Sequence, residues 1–315
     1  MTRTIFVLGG TGFIGREVLK QGLAGGLDVK ALGRSDAALE QLRELGATPI
    51  AGNADDPGSW SPELRGADVL IDLLQPPLPK RLSPANIDNI SRQRQAYTSA
   101  LLEAIGSIAE AERPVLFNIS GAEDLAPDAT GAIDHASPLR QEPYAFSRIG
   151  VPVRRLIEAS GVDAAYIYLG GIVYGPGKVF ADVIVEGLRR RRAKVIGNGS
   201  NHLPVVHVID AAGALVHLSG LSRDQLAGRT FLATDGSTTT QREWMNLTAE
   251  LMGRKAPGSV PAWLAALVAG GAGAQSLTLD VQDDPSALLA TGFSFRFPSP
   301  REGIPDTLRE LGVLA

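Results

Sequence analysis

The sequence predicts an α/β protein in which a doubly wound parallel sheet of about seven strands carries helices on both faces. Short apolar runs alternate with helix-length segments through the first two-thirds of the 315 residues. The runs are mostly continuous Val, Ile and Leu, which is typical of strands covered on both sides. From residue 238 onward the pattern changes to helices and joints rich in Pro and Gly, which predicts a smaller C-terminal lobe.

Each predicted strand is an apolar run followed by a turn or a helix. The strands in chain order are 4–8, 29–32, 48–51, 69–74, 115–119, 164–169 and 230–232. Glycines at 25–26 and 46 are expected to end the intervening helices, because a left-handed helix end costs glycine least.

Composition and charge exclude several classes of protein. The 30 Lys and Arg residues against 34 Asp and Glu give a net charge of −4, which supplies no general field for a nucleic acid. The chain has no cysteine, so it lacks disulfides and a thiolate nucleophile, and its histidines lack the spacing of a zinc protease; we predict no metal. No secretory signal precedes the first apolar run, and the uncharged apolar stretch at 260–274 is shorter than the roughly 20 residues of a membrane span. We therefore expect a soluble, cytoplasmic protein without a membrane partner.

A glycine-rich loop, GGTGFIG at residues 9–15, lies between the first strand and the first helix. It has the spacing GxGxxG, in which glycine permits a tight turn and lets a ligand approach bare backbone N–H groups. Directly after a strand and before a helix, this pattern predicts a dinucleotide site with the pyrophosphate at the helix N-terminus. The predicted cofactor contacts of the loop are Gly9, Thr11, Gly12, Phe13, Ile14 and Gly15.

The end of the second strand indicates which dinucleotide binds. An NAD-binding chain usually carries Asp or Glu about 20 residues after the loop, where it accepts the ribose hydroxyls. Here the strand ends in Gly33-Arg34-Ser35 without a carboxylate, and Arg34 can pair with a 2′-phosphate while Ser35 adds a donor. This favours NADP(H) over NAD(H). The alternative is that Arg34 merely ends the strand in solvent and that Asp36 caps the next helix.

Two domains are predicted from this organisation. Residues 1–173, with roughly 203–236, form a dinucleotide-binding Rossmann domain. Residues from roughly 174 to 202, with 237–315, form a smaller substrate-binding lobe that closes over the crevice at the strand ends.

Six further segments occur in the order typical of one superfamily. They are NADD at 53–56, NISG at 118–121, PYAFSR at 143–148, GGIVYGPG at 170–177, VHVID at 206–210 and REGI at 301–304. Together with the glycine loop they resemble the extended branch of the short-chain dehydrogenase/reductase superfamily, the epimerase/dehydratase-like proteins. The resemblance covers nearly the whole chain.

This resemblance implies the catalytic positions. Ser120 would polarise the substrate carbonyl, Tyr144 would transfer the proton, and Arg148 stands where the superfamily has the lysine of its YxxxK motif. Hydride would pass to or from the nicotinamide ring. The resemblance also implies cofactor contacts at Asn53, Ala54, Leu73, Leu74, Tyr144, Arg148, Leu169 and Gly171. Relatives often pair through helices equivalent to 90–111 and 144–159, so a homodimer is compatible with the sequence.

The spacing within PYAFSR also has a physical meaning. Pro143 suits the first turn of a helix, so Tyr144 and Arg148, at i and i+4, are expected on one helix face. A neighbouring cation would lower the pKa of the phenol from its usual value of about 10. Arg148 keeps the positive charge of lysine, but it is bulkier and cannot release a proton, so a proton relay through this position would be lost.

The sequence favours a small metabolite over a nucleotide sugar as the substrate. Superfamily members that act on nucleotide sugars usually carry Arg-Asp before the VHVxD-like segment, where this chain has Leu203-Pro204, which cannot pair with a diphosphate. The alternative is that Arg296 or Arg301 supplies the charge. We predict an NADP(H)-dependent oxidoreductase of the carbonyl reductase or alcohol dehydrogenase type. The alternatives are an epimerase or dehydratase that uses a transiently reduced NAD(P), and a non-catalytic NAD(P)-binding sensor.

Two other features are interpreted as structural. The basic run at 189–192, followed by Lys194, is typical of a solvated helix end, with contact to an anion or a nucleic acid as the alternative. Trp60, Trp244 and Trp263 are expected to be packing residues, with Trp263 also a candidate for the substrate cleft.

Overall fold

A computed structural model describes residues 2–79 and 81–314. Its strands are β1 (Thr4–Leu8), β2 (Asp28–Gly33), β3 (Thr48–Ala51), β4 (Val69–Asp72), β5 (Val115–Ser120), β6 (Ala132–Ile133), β7 (Ala164–Tyr168), β8 (Ile172–Tyr174), β9 (Val195–Ile196), β10 (Val205–His207), β11 (Thr230–Leu232), β12 (Ser259–Val260) and β13 (Gln282–Asp283). Its helices are α1 (Phe13–Ala24), α2 (Asp36–Glu44), α3 (Pro84–Gly106), α4 (Ser147–Ser160), α5 (Glu186–Arg189), α6 (Val208–Ser219), α7 (Arg223–Leu226), α8 (Gln241–Leu251), α9 (Ala262–Ala269), α10 (Gly271–Leu277), α11 (Ser286–Leu289) and α12 (Pro300–Glu310). A π-helix at Val179–Val185 leads into α5.

Seven strands form one sheet in the order β3-β2-β1-β4-β5-β7-β11. All neighbouring pairs are parallel, so the predicted α/β fold class is confirmed. The chain order reverses between β1 and β4, and in open parallel sheets ligands bind outside the carboxyl ends of the strands at that reversal. Two-stranded parallel pairs join β8 to β10, β9 to β12 and β6 to β13.

The strand predicted at 69–74 is two residues too long. β4 ends at Asp72, whose carboxylate accepts a hydrogen bond from the backbone N–H of Leu74 at 3.1 Å. A side-chain bond of this kind competes with the ladder and turns the chain away from the sheet. The other predicted strands agree with the sheet to within one residue at each end.

Helices cover both faces of the sheet. On one face α1 packs against α6 and buries Val18 and Leu215. On the other face α3 packs against α4 and buries Leu101 and Ile157. Burial of each such side chain contributes about 1.5–3 kcal/mol. The two helical layers therefore hold the strand ends, and the loops that follow them, in place.

A third buried apolar cluster is separate from those on the sheet faces. Tyr174, Phe180 and Trp244 are its aromatic centre: the ring centroids of Tyr174 and Phe180 are 5.8 Å apart, and those of Phe180 and Trp244 are 5.3 Å apart. Val195 and Leu308 also belong to it. The cluster joins the π-helix to α8 and α12, although the division of the chain into two domains at the predicted boundaries stays a prediction.

Candidate cofactor and active site

The glycine loop forms a tight turn between β1 and α1. Gly9 has φ of +82°, a conformation that favours glycine, and its carbonyl oxygen accepts a hydrogen bond from the N–H of Gly12 at 2.9 Å. A Cβ at Gly15 would overlap the carbonyl oxygen of Gly9 and lie 2.8 Å from the Cα of Gly10. The loop and the first turn of α1 therefore touch, backbone to backbone.

This loop fits a bound pyrophosphate. The helix begins at Phe13, and Gly12 provides no side-chain cap for its N-terminal N–H groups. Such groups and the helix dipole together favour an anion. Thr11 and Ile14 lie partly exposed around this helix start. The Phe13 ring lies 3.3 Å from the position where a side chain at Gly177 would begin, so the loop contacts the GGIVYGPG segment.

The end of β2 presents one arginine to solvent. Arg34 is exposed, and among residues 2–79 and 81–314 it forms no ion pair. The hydroxyl of Ser35 accepts a hydrogen bond from the N–H of Ala38 at 3.3 Å, which caps α2. The alternative in which Asp36 caps this helix is therefore wrong, because Asp36 is its first residue. The Ser35 hydroxyl can still donate its own proton.

The loop after β3 lies beside the end of β2. The N–H of Gly52 donates to the carbonyl of Gly33 at 3.1 Å, and the indole N–H of Trp60 donates to the carbonyl of Asn53 at 2.9 Å. Trp60 is buried, so Asn53 and the following Ala54 are held at the same sheet edge as Arg34.

The end of β4 is held by a buried ion pair that the sequence reasoning missed. Arg94 of α3 donates from Nη2 to Oδ2 of Asp72 at 2.6 Å, and both residues are buried. Leu73 follows directly, and its carbonyl carbon lies 3.2 Å from where a side chain at Gly9 would begin. Leu73 and Leu74 therefore border the glycine loop. The sequence signal that could have revealed this ion pair was the single carboxylate that ends the apolar run VLID at 69–72.

Ser120 lies at the end of β5, and its hydroxyl is bonded to a buried acid. Its Oγ donates to Oδ2 of Asp124 at 2.6 Å. Asp124 and its neighbour Glu123 are buried, and burial raises the pKa of Asp124 to about 8. A Cβ at Gly150 would overlap both Ser120 and Asp124, so α4 packs directly on this pair. The sequence reasoning missed both carboxyls, although they come directly after NISG.

Tyr144 does not lie on α4, so the prediction that Tyr144 and Arg148 share one helix face is wrong. The helix begins at Ser147, whose hydroxyl accepts a hydrogen bond from the N–H of Tyr144 at 2.9 Å. Ala145 has φ of +45°, which is incompatible with a right-handed helix. Tyr144 is therefore in a turn that precedes the helix.

The phenol of Tyr144 contacts the C-terminal part of the chain. Its hydroxyl donates to the carbonyl of Gln275 in α10 at 2.9 Å, and the side-chain oxygen of Gln275 accepts from the N–H of Ala145 at 3.1 Å. The guanidinium of Arg140 lies 4.8 Å from the ring centroid. Burial raises the pKa of Tyr144, while Arg140 acts to lower it. Sequence reasoning missed Arg140 and Gln275.

Arg148 faces α3. Its Nη1 lies 3.7 Å from Oδ1 of Asp88, and its backbone carbonyl accepts from the hydroxyl of Ser91 at 2.7 Å. Arg148 is not among the groups that shift the pKa of Tyr144. Its expected catalytic and cofactor-binding roles stay predictions.

The carboxyl end of β7 lies at the same edge of the sheet as the other site residues. The N–H of Leu169 donates to the carbonyl of Ser120 at 2.9 Å, and the N–H of Gly171 donates to the carbonyl of Pro204 at 2.8 Å. Leu203 is buried, so this apolar residue is part of the third cluster. Because the strands are parallel, their carboxyl ends place the glycine loop, Arg34, Asn53, Leu73, Ser120 and Leu169 along one edge of the sheet.

Comparison with known proteins agrees with this arrangement. Residues 9–194 match the protein family described as NAD(P)H-binding. The mouse epimerase family protein SDR39U1 is 25% identical over 315 residues, a match covering 96% of this chain and 99% of that protein. A 4-hydroxy-2-methyl-3-oxo-4-farnesyl-3,4-dihydroquinoline-1-oxide ketoreductase of Stigmatella aurantiaca is 24% identical over 266 residues, covering 81% of this chain and 75% of the relative.

A solved structure extends the likeness to three dimensions. The crystal structure of human epimerase family protein SDR39U1 with NADPH has a TM-score of 0.79 at 21% identity, and it covers 98% of this chain and 100% of the human one. The chain belongs to the NAD(P)H-binding family, within the extended, epimerase-like branch of the short-chain dehydrogenase/reductase superfamily. The predicted superfamily is thus confirmed.

Proposed function

We propose that this protein is an NADPH-dependent reductase of an uncharged ketone, within the predicted class of carbonyl reductases and alcohol dehydrogenases. The observation that carries the proposal is the half-buried phenol of Tyr144, whose hydroxyl faces α10 beside the guanidinium of Arg140. A phenol titrates at about pH 10, and burial raises the pKa of Tyr144 further, so the hydroxyl holds its proton at neutral pH. Hydride addition makes the carbonyl oxygen strongly basic, and the phenol can then donate its proton to that oxygen, the step that reduction requires.

The residues present fit the cofactor. The backbone of 9–15 and the open N-terminus of α1 would hold the pyrophosphate. Arg34, with no ion-pair partner in the described part of the chain, would bind the 2′-phosphate that distinguishes NADPH from NADH. When bound, the nicotinamide supplies the hydride that reduces the carbonyl carbon.

Ser120 at the end of β5, Asp124 just after it and Tyr144 in the turn before α4 then carry out the proton transfer. Below about pH 8 Asp124 is protonated, so it can donate to Oγ of Ser120 and leave the serine proton for the carbonyl oxygen of the substrate. Tyr144 donates its proton to that same oxygen. Since the hydroxyl of Tyr144 is bonded to Gln275, α10 must separate from Tyr144 before the substrate can bind there.

The surroundings of the site support an uncharged, apolar substrate. Residues 256–279, which include α9 and α10 beside Tyr144, contain no charged side chain. Leu203 and Pro204 offer no charge to a diphosphate. A ketoreductase of a farnesylated ketone is among the relatives, and a maize isoflavone reductase homolog is 28% identical over 219 residues.

The proposal is tested by following NADPH oxidation with a panel of ketones. We expect turnover that falls at least about a hundredfold in the Tyr144→Phe variant, because a positioned proton donor typically contributes 10²–10⁴-fold, while the Kd for NADPH stays within about twofold. Tyr166→Phe in β7 is the matched control and should retain activity. Product formation without net NADPH oxidation would instead identify an epimerase or dehydratase. Tight NADPH binding without turnover of any ketone would leave the sensor as the function.

A further inference from the structure

Helix α9 is apolar on every side and exposed to solvent. Its sequence, AWLAALVA, contains no polar side chain apart from the indole N–H. Trp263 is 67% exposed and Val268 is 76% exposed, and Leu264 and Leu267 are exposed as well. The expectation that Trp263 packs in the interior is therefore wrong. Surface helices normally turn a polar face to water, and a contiguous exposed apolar patch marks an interaction surface.

The helix is held at both ends while its apolar face stays uncovered. At its C-terminal end, the carbonyl of Ala269 accepts a hydrogen bond from the N–H of Leu82 at 2.9 Å. At its N-terminal end it follows β12, in which Ser259 pairs with Val195 of β9. Arg242 strengthens this anchor by donating to the hydroxyl of Ser259 at 2.7 Å. These contacts present α9 to solvent as a fixed element.

Three cations lie near the N-terminal end of α9. Arg254 and Lys255 are exposed and come just before β12, and Lys194 comes just before the paired β9. The Nζ of Lys194 lies 3.8 Å from where a side chain at Gly258 would begin, and Gly258 itself lies within about 13 Å of the first residue of α9 at about 3.3 Å per extended residue. In residues 2–79 and 81–314 these three cations form no ion pair. Since the whole chain carries a net charge of −4, this positive charge is a local feature.

We propose that α9 docks on the surface of an anionic membrane. Its apolar side chains would lie at the level of the lipid tails, and the three cations near its N-terminal end would contact the headgroups. An apolar helical face flanked by Lys and Arg is the combination that binds such a surface. Eight residues make a helix of about 12 Å, which lies along the interface. No helix in the described parts of the chain is long and apolar enough to cross a bilayer. This proposal differs from the expectation of no membrane partner, which stays a prediction.

The size and charge of this surface argue against a second copy of the chain. A stable dimer buries about 800 Å² on each partner, contributed by about 20–30 residues. α9 presents few exposed residues: Ala262, Trp263, Leu264, Leu267 and Val268. In a two-fold pairing that sets the two helices parallel, the same cations of both copies would also come together.

The docking helix is directly connected to the candidate active site. Gly270 alone separates α9 from α10, and Gln275 of α10 holds the hydroxyl of Tyr144. A docked protein could therefore take an apolar ketone from the bilayer at the point where the site opens. This last step rests on the proposed function, whereas the docking itself does not.

Trp263 provides a direct measurement of docking. Of the three tryptophans, Trp60 and Trp244 are buried, so an emission shift on contact with lipid reports on Trp263. The full-length protein is mixed with vesicles of phosphatidylcholine, with or without phosphatidylglycerol, and emission and cosedimentation are measured. We expect a blue shift and binding at least about tenfold tighter to the vesicles that contain phosphatidylglycerol.

Matched variants separate the apolar and the charged contributions. Leu267→Glu combined with Val268→Glu changes exposed side chains only, and it should weaken vesicle binding at least about tenfold. Leu289→Glu places a single glutamate at an exposed leucine of α11 and should bind like the unchanged protein. Lys194→Glu combined with Lys255→Glu should remove the preference for phosphatidylglycerol.

Several outcomes would overturn the docking proposal. The first is that neither kind of vesicle shifts the tryptophan emission or cosediments with the protein. The second is that the Leu267→Glu, Val268→Glu variant binds vesicles as tightly as the unchanged protein. A blue shift that grows with protein concentration without lipid would assign the face to a second copy. An emission shift produced by NADPH alone, without lipid, would show that the exposed face of α9 closes over the active site instead. Ketone reduction is measured without lipid, so its failure and the failure of docking are distinguishable.

Discussion

In the proposed reaction, proton transfer depends on the environment of a single phenol, that of Tyr144. Burial raises its pKa, and the guanidinium of Arg140 at 4.8 Å opposes that effect. Arg148, which was predicted to take the place of the motif lysine, is directed to Asp88 at 3.7 Å. The cation that acts on the pKa of the phenol is Arg140, and in the proposed reaction the protonated phenol is the proton donor.

At the cofactor end, Arg34→Ala should separate the two nicotinamide nucleotides. We expect the Kd for NADPH to rise by roughly ten- to hundredfold, because charge-assisted hydrogen bonds to the 2′-phosphate are lost. The Kd for NADH, which has no such phosphate, should stay within about twofold. Calorimetric titration with both nucleotides measures this difference.

The control for this variant is Arg43→Ala, which removes an exposed arginine of the neighbouring α2. It should leave both affinities unchanged. An equal loss of NADPH and NADH affinity in Arg34→Ala would mean that Arg34 does not contact the 2′-phosphate.

Among the elements, β1 and α1 are the pair whose contact shapes the site. Their loop has no room for a side chain at Gly15, because the atoms that a Cβ would meet belong to the backbone of Gly9 and Gly10. Backbone atoms cannot rotate away as a flexible side chain can. The close approach of strand and helix therefore depends on glycine at this position.

Gly15→Ala is expected to change stability and binding together. Overpacking of this kind typically costs about 1–3 kcal/mol, and displacement of the loop should weaken NADPH binding at least about tenfold. Thermal unfolding and calorimetry measure the two effects. In the control, Gly106→Ala at the end of α3, a new Cβ meets no atom within 4 Å, and stability should stay equal or rise slightly. Wild-type affinity in Gly15→Ala would contradict the assigned role of the loop.

The start of α4 shows where motif spacing fails to predict an element. A helix beginning at Pro143 would have placed Tyr144 and Arg148 side by side. Instead, the hydroxyl of Ser147 accepts the N–H of Tyr144, and Ala145 takes a positive φ. A side-chain bond to the preceding backbone competed with the helix, and no periodic pattern reveals which of the two prevails.

For the whole molecule, buried carboxyl groups set the dependence of stability on pH. Burial raises the pKa of Asp124 to about 8 and the pKa values of Asp235 and Asp283 to about 7. In the unfolded chain these groups titrate near pH 4. Folding therefore favours their protonated forms, and the stability that follows is lost as pH rises through the folded-state pKa values.

We expect the free energy of unfolding to fall between about pH 6.5 and pH 8, with about 1–2 kcal/mol of the loss from Asp124. His207 acts in the opposite direction below this window: burial lowers its pKa to about 4, so its contribution is lost as pH falls below about 6.5. Urea unfolding at a series of pH values measures the slope.

Asp124→Asn should flatten that slope, because asparagine does not titrate. Asp36→Asn, at the exposed start of α2, is the control and should keep the slope of the unchanged protein. Stability that rises between about pH 6.5 and pH 8 would contradict the protonated state of Asp124 and its part in the proposed proton transfer.

The sequence by itself determined the order of strands and helices, the glycine loop and the absence of a carboxylate at the end of β2. These features follow from local pattern: the run of apolar residues, the freedom of glycine and the charge of one side chain. They were enough to predict the sheet and the place of the cofactor, and the ordered motifs along the chain predicted the superfamily.

Only the tertiary structure decided what the reactive side chains touch. Tyr144 is bonded to Gln275, 131 residues further along the chain, and Asp72 is paired with Arg94 on another element. The exposed face of α9 likewise depends on which elements fail to cover it. Such contacts are set by the packing of distant segments and by the cost of burying charge, and neither is encoded in the spacing of neighbouring residues.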